Sequence, residues 1–186
     1  MSSLTLWAAL ALLLFWSIGA YNRMVRLRSD VRHAFVTVDQ RLVAQLGLLQ
    51  SCLPPSMNAS LLTQPGELLD DVGRLWIGLR SAAAQVAASL AAARAHPLDA
   101  RTLAALVAAR GVLDATWQRM LQAGADPSQA LLPESVRREW EQGGAQTYAA
   151  GDAFNQAVSR YNAAIRQFPA LLLAWVCGFK AARALS

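Results

Sequence analysis

Hydrophobic positions return at steps of three and four along most of this chain, and in one stretch they run on without interruption. From Leu4 to Ala20 no charged side chain occurs, and Arg23, Arg26, Arg28 and Arg32 follow directly. A run of roughly 17 residues is near the lower limit for crossing a hydrocarbon core of about 30 Å at 1.5 Å per residue. Trp7, Trp16 and Tyr21 sit near its ends, where amphipathic rings favour the membrane–water boundary. The pattern predicts a membrane anchor over 1–20 and a helical domain over 21–186. A cleavable signal peptide would place its basic residues before the apolar run and a small-residue cleavage site after it. Here Met1-Ser2-Ser3 has no charged side chain and the arginines lie on the other flank, although Ser17-Ile18-Gly19-Ala20 is a passable cleavage site. Because cationic flanks are retained in the cytoplasm, the expected topology is single-pass in the inner (cytoplasmic) membrane, amino terminus out and domain in.

Beyond the anchor, Val31, Phe35, Val38, Leu42, Leu46, Leu49 and Leu53 mark one helical face. No Gly or Pro interrupts Tyr21 to Gln45, so one rod of about 50 residues is expected, stopping before Pro54-Pro55. A loop follows over 56–64. A second helix carries Leu68, Val72, Leu75 or Trp76, Leu79, Ala83, Val86 and Leu90 until His96-Pro97 breaks it. Asp99 is placed to cap a third, with Leu103, Leu106, Leu113, Trp117 and Met120, ending near Gly124-Ala125-Asp126-Pro127. After Pro133 a fourth starts with Glu134 in its first turn and carries Trp140, Tyr148, Phe154, Val158, Tyr161, Ile165 and Phe168. Gly143-Gly144 is a weak point where it is expected to bend or restart, and Pro169 is expected to kink rather than end it. The apolar stretch Leu171 to Phe179 is too short to span a bilayer; it either packs on the bundle or lies in the interface. The fold class is all-α: an N-terminal transmembrane helix continuing into an antiparallel four-helix bundle. In that topology the apolar C-terminal stretch lands beside the juxtamembrane part of the first helix.

Composition adds little to this picture. The net charge of +5 comes from 17 basic residues, of which one is lysine, against 12 acidic ones. The arginines are spread along every helix and interleaved with Asp and Glu, which reads as solvated faces. The exception is Arg23, Arg26, Arg28 and Arg32, a patch able to attract anionic lipid headgroups. Nucleic acid is not an expected partner. Arg94, Arg101 and Arg119 are expected to be solvated. Cys52 and Cys177 offer neither zinc spacing nor a redox pair, and are expected as free thiols packed in the core.

Two segments resemble the LemA family. Tyr21-Asn22-Arg23-Met24-Val25-Arg26-Leu27-Arg28, with Val31, Ala34, Phe35, Val38, Asp39 and Leu42, is similar to that family's start, where a short membrane helix precedes a Tyr-Asn-x-x-Val-x-Leu-Arg-like motif. Phe154, Asn155, Val158, Tyr161, Asn162, Ile165, Phe168 and Pro169, followed by Ala174 and Gly178-Phe179, resemble its C-terminal signature. After Asp39 the family usually shows a basic pair and a Pro-containing apolar stretch, where this chain has Val43-Ala44-Gln45. The family's Ala-Arg before the second motif is replaced by Gly151-Asp152, and 56–124 shows no match. The resemblance implies a membrane-anchored helical bundle and no established biochemical activity. Within the motifs, Tyr-Asn or Phe-Asn recurs at 21–22, 154–155 and 161–162, each with an aliphatic residue three positions after the Asn. The two C-terminal copies are seven residues apart and share a helix face. The aromatics are expected in the core, Tyr21, Val25, Val31 and Phe35 facing Phe154, Tyr161, Ile165 and Phe168, with the Asn amides bridging helices or reaching loops.

Chemistry is sparse. His33 and His96 are the two histidines, one on the arginine-rich helix and one in a turn, and no nucleophile–base–orienter set is indicated. Asp70-Asp71 complements a helix dipole. No catalytic residue, cofactor or metal is predicted. The expected role is a membrane-anchored interaction or scaffold module; a small-ligand sensor and a lipid-surface or membrane-shaping protein are the alternatives.

Overall fold

The computed structural model describes residues 2–52, 71–124, 131–167 and 170–185, with side chains from Thr5 onward. Among them every regular element is helical: α1 (Ser2–Cys52), α2 (Asp71–Ala95), α3 (Ala100–Ala123), α4 (Glu134–Arg166) and α5 (Ala170–Val176). Leu53, the prolines at 54–55, the 56–64 loop, Leu68, Asp70, Asp126-Pro127 and the motif residues Phe168 and Pro169 lie outside the described residues.

α1 is one uninterrupted helix of 51 residues. From Thr5 to Trp16 its residues are exposed, and its buried stripe begins at Met24 and continues through Val31, Phe35, Val38, Leu42, Leu46 and Leu49. α1 and α2 are both long and apolar enough to cross a membrane by length and composition, and the N-terminal one equally fits a signal sequence. α2 already spends its apolar side chains on the core, burying Trp76, Leu79, Val86 and Leu90. Small residues on this helix, Ala82 and Ala93 buried and Gly78 placed so that a Cβ there would lie 3.7 Å from Thr116, let α3 approach closely.

Two helix pairs make the domain: α1 with α4, and α2 with α3. Along the first pair Met24 lies near Ala164, Phe35 meets Phe154 edge-to-face with centroids 5.9 Å apart, and Gln45 lies against Gly143. As the α1 number rises its α4 neighbour falls, so the two run in opposite directions. α2 and α3 are joined by a four-residue turn, in which the Asp99 carboxylate accepts from the Arg101 backbone N–H (2.9 Å) and caps α3. The pairs are tied together by α1 against α2, by Arg94 Nε donating to Asp39 (2.7 Å), and by Trp117 of α3 stacking on Trp140 of α4 at 4.5 Å.

Several expectations are corrected. α4 passes through Gly143-Gly144 unbroken. The Gln45 side chain fills the space a Cβ at Gly143 would meet at 3.2 Å, and the buried Thr147 hydroxyl shares its proton between Gln45 Oε1 (3.0 Å) and the Gly143 carbonyl (2.8 Å). The glycines admit a polar side chain to the seam. Tyr148 is 77 % exposed, and its neighbour Thr147 holds the inward position. On α1 the inward residue of the first motif is Met24, while Tyr21, Asn22 and Val25 are exposed. Of the two alternatives Leu75 and Trp76 it is Trp76 that is buried in α2, and Ala82 is buried rather than the expected Ala83. α4 ends at Arg166, Gln167 is extended, and a separate helix begins at Ala170. The expected kink at Pro169 lies outside the described residues, and the helices on either side of it are separate elements. Cys177 is exposed and Cys52 partly so, both as free thiols outside the core. Arg94 is exposed, as expected, and its guanidinium in addition bridges to Asp39.

The Phe35–Phe154 contact lies in the middle of the α1–α4 pairing. Phe154→Ala should destabilise the protein by about 3–5 kcal/mol through lost burial and a cavity, whereas Arg119→Ala, on an exposed position, should stay within about 0.5 kcal/mol. Denaturant unfolding followed by circular dichroism checks both; equal midpoints would show that the aromatic pair is not a core contact.

Candidate functional site

The two motif-bearing ends meet at the base of the α1–α4 pair. Tyr21 packs edge-to-face on Phe179 (6.0 Å), and the Arg28 guanidinium lies 5.8 Å from the centre of the same ring. Phe179 reaches this place because of Gly178. The glycine has φ +71°, its N–H donates to Trp175 O (3.4 Å), and the next N–H, that of Phe179, donates to Ala174 O (2.9 Å). This pair of bonds is the Schellman ending of a helix, which needs a left-handed residue that only glycine adopts at no steric cost. It ends α5 and turns the chain back toward α1.

The chain then runs as a tail along α4, held by the asparagines of the second motif. Asn162 Nδ2 donates to Ala182 O (2.8 Å), and Asn162 Oδ1 accepts from Ala182 N–H (2.9 Å). Seven residues earlier on the helix, Asn155 Oδ1 accepts from Leu185 N–H (2.7 Å). Tyr161 is buried, and its hydroxyl donates to Lys180 O (3.0 Å). Its phenol is held above the usual value because burial disfavours the phenolate, with Arg28 opposing weakly. The spacing has a geometric cause. Seven helical residues rise about 10.5 Å, and three extended residues span about 10 Å, so amides at i and i+7 meet every third residue of an extended strand.

Of the other motif positions, Val158 and Ile165 are buried on α4, Leu27 and Arg28 are half-buried on α1, and Arg23, Arg26 and Arg32 are exposed. The structure therefore brings Tyr21, Arg28, Tyr161, Asn162, Gly178 and Phe179 to one place and leaves Asn22 and Val25 out of it.

Where the tail reaches Leu185 a groove of about 380 Å³ opens between α3 and α4, floored by Val38 and Leu42 of α1. Its walls carry Leu106, Val107, Arg110 and Asp114 from one side and Tyr148, Asp152 and Asn155 from the other. Arg110 and Asp114 pair at 3.8 Å, yet Asp114 is pushed above its ordinary 3.8 because partial burial outweighs the guanidinium. Asp152 accepts from Gln156 (2.9 Å). Sequence reading passed over this groove because its residues come from three helices and none forms a motif. Gly111 and Gly151, with open space at their Cβ positions, are the one local signal of a widened gap.

His33 and His96 are both exposed, and no group of three His, Cys, Asp or Glu side chains suited to a metal ion occurs among the described residues. Comparison with known protein families, curated proteins and solved structures finds no match in any of the three.

Two outcomes test this geometry. Asn162→Ala removes two net hydrogen bonds of about 0.5–1.5 kcal/mol each, so amide exchange at Ala182 should accelerate roughly 10- to 100-fold while Phe154 in the core stays protected. Unchanged exchange would mean the tail is held by something else. Asp114 binds its proton more tightly folded than unfolded, so its contribution to stability falls as pH rises from its ordinary value through the raised one. Asp114→Asn should therefore raise the melting midpoint at neutral pH, and the advantage should vanish below 3.8.

Proposed function

We propose that this chain is a LemA-like, single-pass membrane protein whose cytoplasmic part is an antiparallel four-helix bundle acting as an interaction module. The observation that carries the reading is the continuity of α1, apolar and uncovered from Thr5 to Trp16 and then a core helix from Met24 onward without a break. An apolar helix surface of this length in water would be a liability; in lipid it is satisfied. The four arginines at its exit support an inward-facing domain in the inner membrane and a contact with anionic headgroups through Arg23, Arg26, Arg28 and Arg32. The Asn-held tail supports the interaction role, since α4 already grips an extended backbone through main-chain atoms and the groove continues past its last contact. Exposed Tyr148 and Val107 flank that continuation.

Small-ligand sensing is the second reading, favoured by the groove's volume, which lies within the range of small-molecule pockets. A partner segment should be displaced from the groove by Asp152→Arg; a small ligand would instead be found bound to the purified full chain.

The topology is open to direct test. With Cys52→Ser and Cys177→Ser removing the native thiols, Tyr148→Cys should resist an impermeant maleimide in intact cells and react once they are opened. The full chain should remain in the membrane fraction after an alkaline wash. Labelling of intact cells would reverse the orientation, and release by the wash would remove the anchor.

A further inference from the structure

α5 is a helix without a polar side. Ala170, Leu173 and Ala174 lie on one arc and turn toward α1 and α4, with Ala174 buried and Leu173 half-buried. Leu171, Leu172, Trp175 and Val176 lie on the opposite arc, and they are 49 %, 60 %, 84 % and 72 % exposed. A helix that is hydrophobic all round is buried on all sides, so the second arc needs a cover that the chain itself does not supply among its described residues.

Its position says what the cover is. The start of α5, Ala170, shares a cleft with Trp16, Gly19, Ala20 and Arg23 of α1, and its end delivers Phe179 onto Tyr21. α5 therefore sits level with the change in α1 from uncharged apolar residues to arginines. The first charges after the apolar arc are Lys180 and Arg183, both exposed, on the domain side. A Trp-bearing apolar arc bordered by cations, at the height where a spanning helix leaves the bilayer, has the composition of an interfacial segment.

We infer that α5 is a second membrane contact, its Leu171–Leu172–Trp175–Val176 face seated in the lipid interface beside the exit of α1. The inference rests on the reading of α1 as a spanning helix. With two points of contact the domain has a fixed face toward the lipid, where a single helix would leave it free to rotate about the α1 axis. The occupant is lipid, because the arc borders the uncovered apolar face of α1 and because the flanking charges suit anionic headgroups.

The test uses the full chain in nanodiscs of phosphatidylcholine and phosphatidylglycerol, with Cys52→Ser and Cys177→Ser. A nitroxide is placed in turn at Trp175→Cys, Val176→Cys, Leu13→Cys and Tyr148→Cys, and its collisions with oxygen and with a water-soluble nickel chelate are measured. The labels at 175 and 176 should resemble that at 13, favouring oxygen several-fold over the ratio found at 148. Nickel access at 175 and 176 equal to that at 148, with 13 still shielded, overturns the inference and leaves the anchor standing. Shielding of 175 and 176 from both reagents places them under protein and overturns it as well. Nickel access at 13 overturns the anchor and the inference together. Because both α5 positions are exposed, neither substitution removes a core contact, and two labels guard against a local effect of either.

Discussion

Everything in this protein is referred to one unbroken hydrogen-bond ladder, that of α1. No proline occurs before position 54, so the 51-residue helix keeps its backbone groups satisfied internally whether its surroundings are apolar or wet. Its rotation is continuous, and the phase of the uncovered apolar stretch is thereby locked to the phase of the stripe from Met24 to Leu49 that packs the domain. α4 lies along that stripe, α2 along its flank and α5 across its base. α3 reaches α1 largely through α2, and this indirect attachment is why a gap opens between α3 and α4. The groove is a result of how the hairpin of α2 and α3 is hung, with the Trp117–Trp140 stack joining α3 to α4 elsewhere along their length.

The seam between α1 and α4 mixes two kinds of contact. Near its middle it is apolar and aromatic, with Phe35 on Phe154. Farther from the apolar stretch it becomes polar, and Gln45 and Thr147 satisfy one another in space released by a glycine pair. The pairing allows few alternatives, since a slip of one helical turn would take the Gln45 amide oxygen away from Thr147, which would keep only its bond to the Gly143 carbonyl of its own helix. The polar end thus fixes the register that the aromatic middle stabilises.

Helix existence and apolar faces were legible in the sequence because the three–four spacing is a direct image of the buried stripe: Val31, Phe35, Val38, Leu42, Leu46 and Leu49 are all buried. Phase errors arose where two candidates were adjacent. Tyr148 looked the better core residue than Thr147, but the glycines at 143–144 left a site shaped for a hydroxyl and an amide rather than a ring. Met24 took the place expected of Val25 because flexible Met fills the irregular space near Ala164. The motif positions were visible as motifs, while the partner of Asn155 and Asn162 was not. A strand that is read through its own N–H and C=O groups leaves no signature in side chains. The groove was invisible for a related reason, since it is defined by the distance between helices.

The manner in which the tail is held bears on how the chain can drift. Side chains at positions 181, 183 and 184 take no part in the hooks, so that stretch is free to change composition while remaining docked. What it cannot absorb is a change of length, because one inserted residue between Ala182 and Leu185 would put the second amide out of step with Asn155. Nor can it absorb proline at either of those positions, which would delete the donated hydrogen. Beyond Phe179 the segment is therefore constrained as a ruler is, by its intervals, and by its letters chiefly at the buried Ala182 and at Leu185.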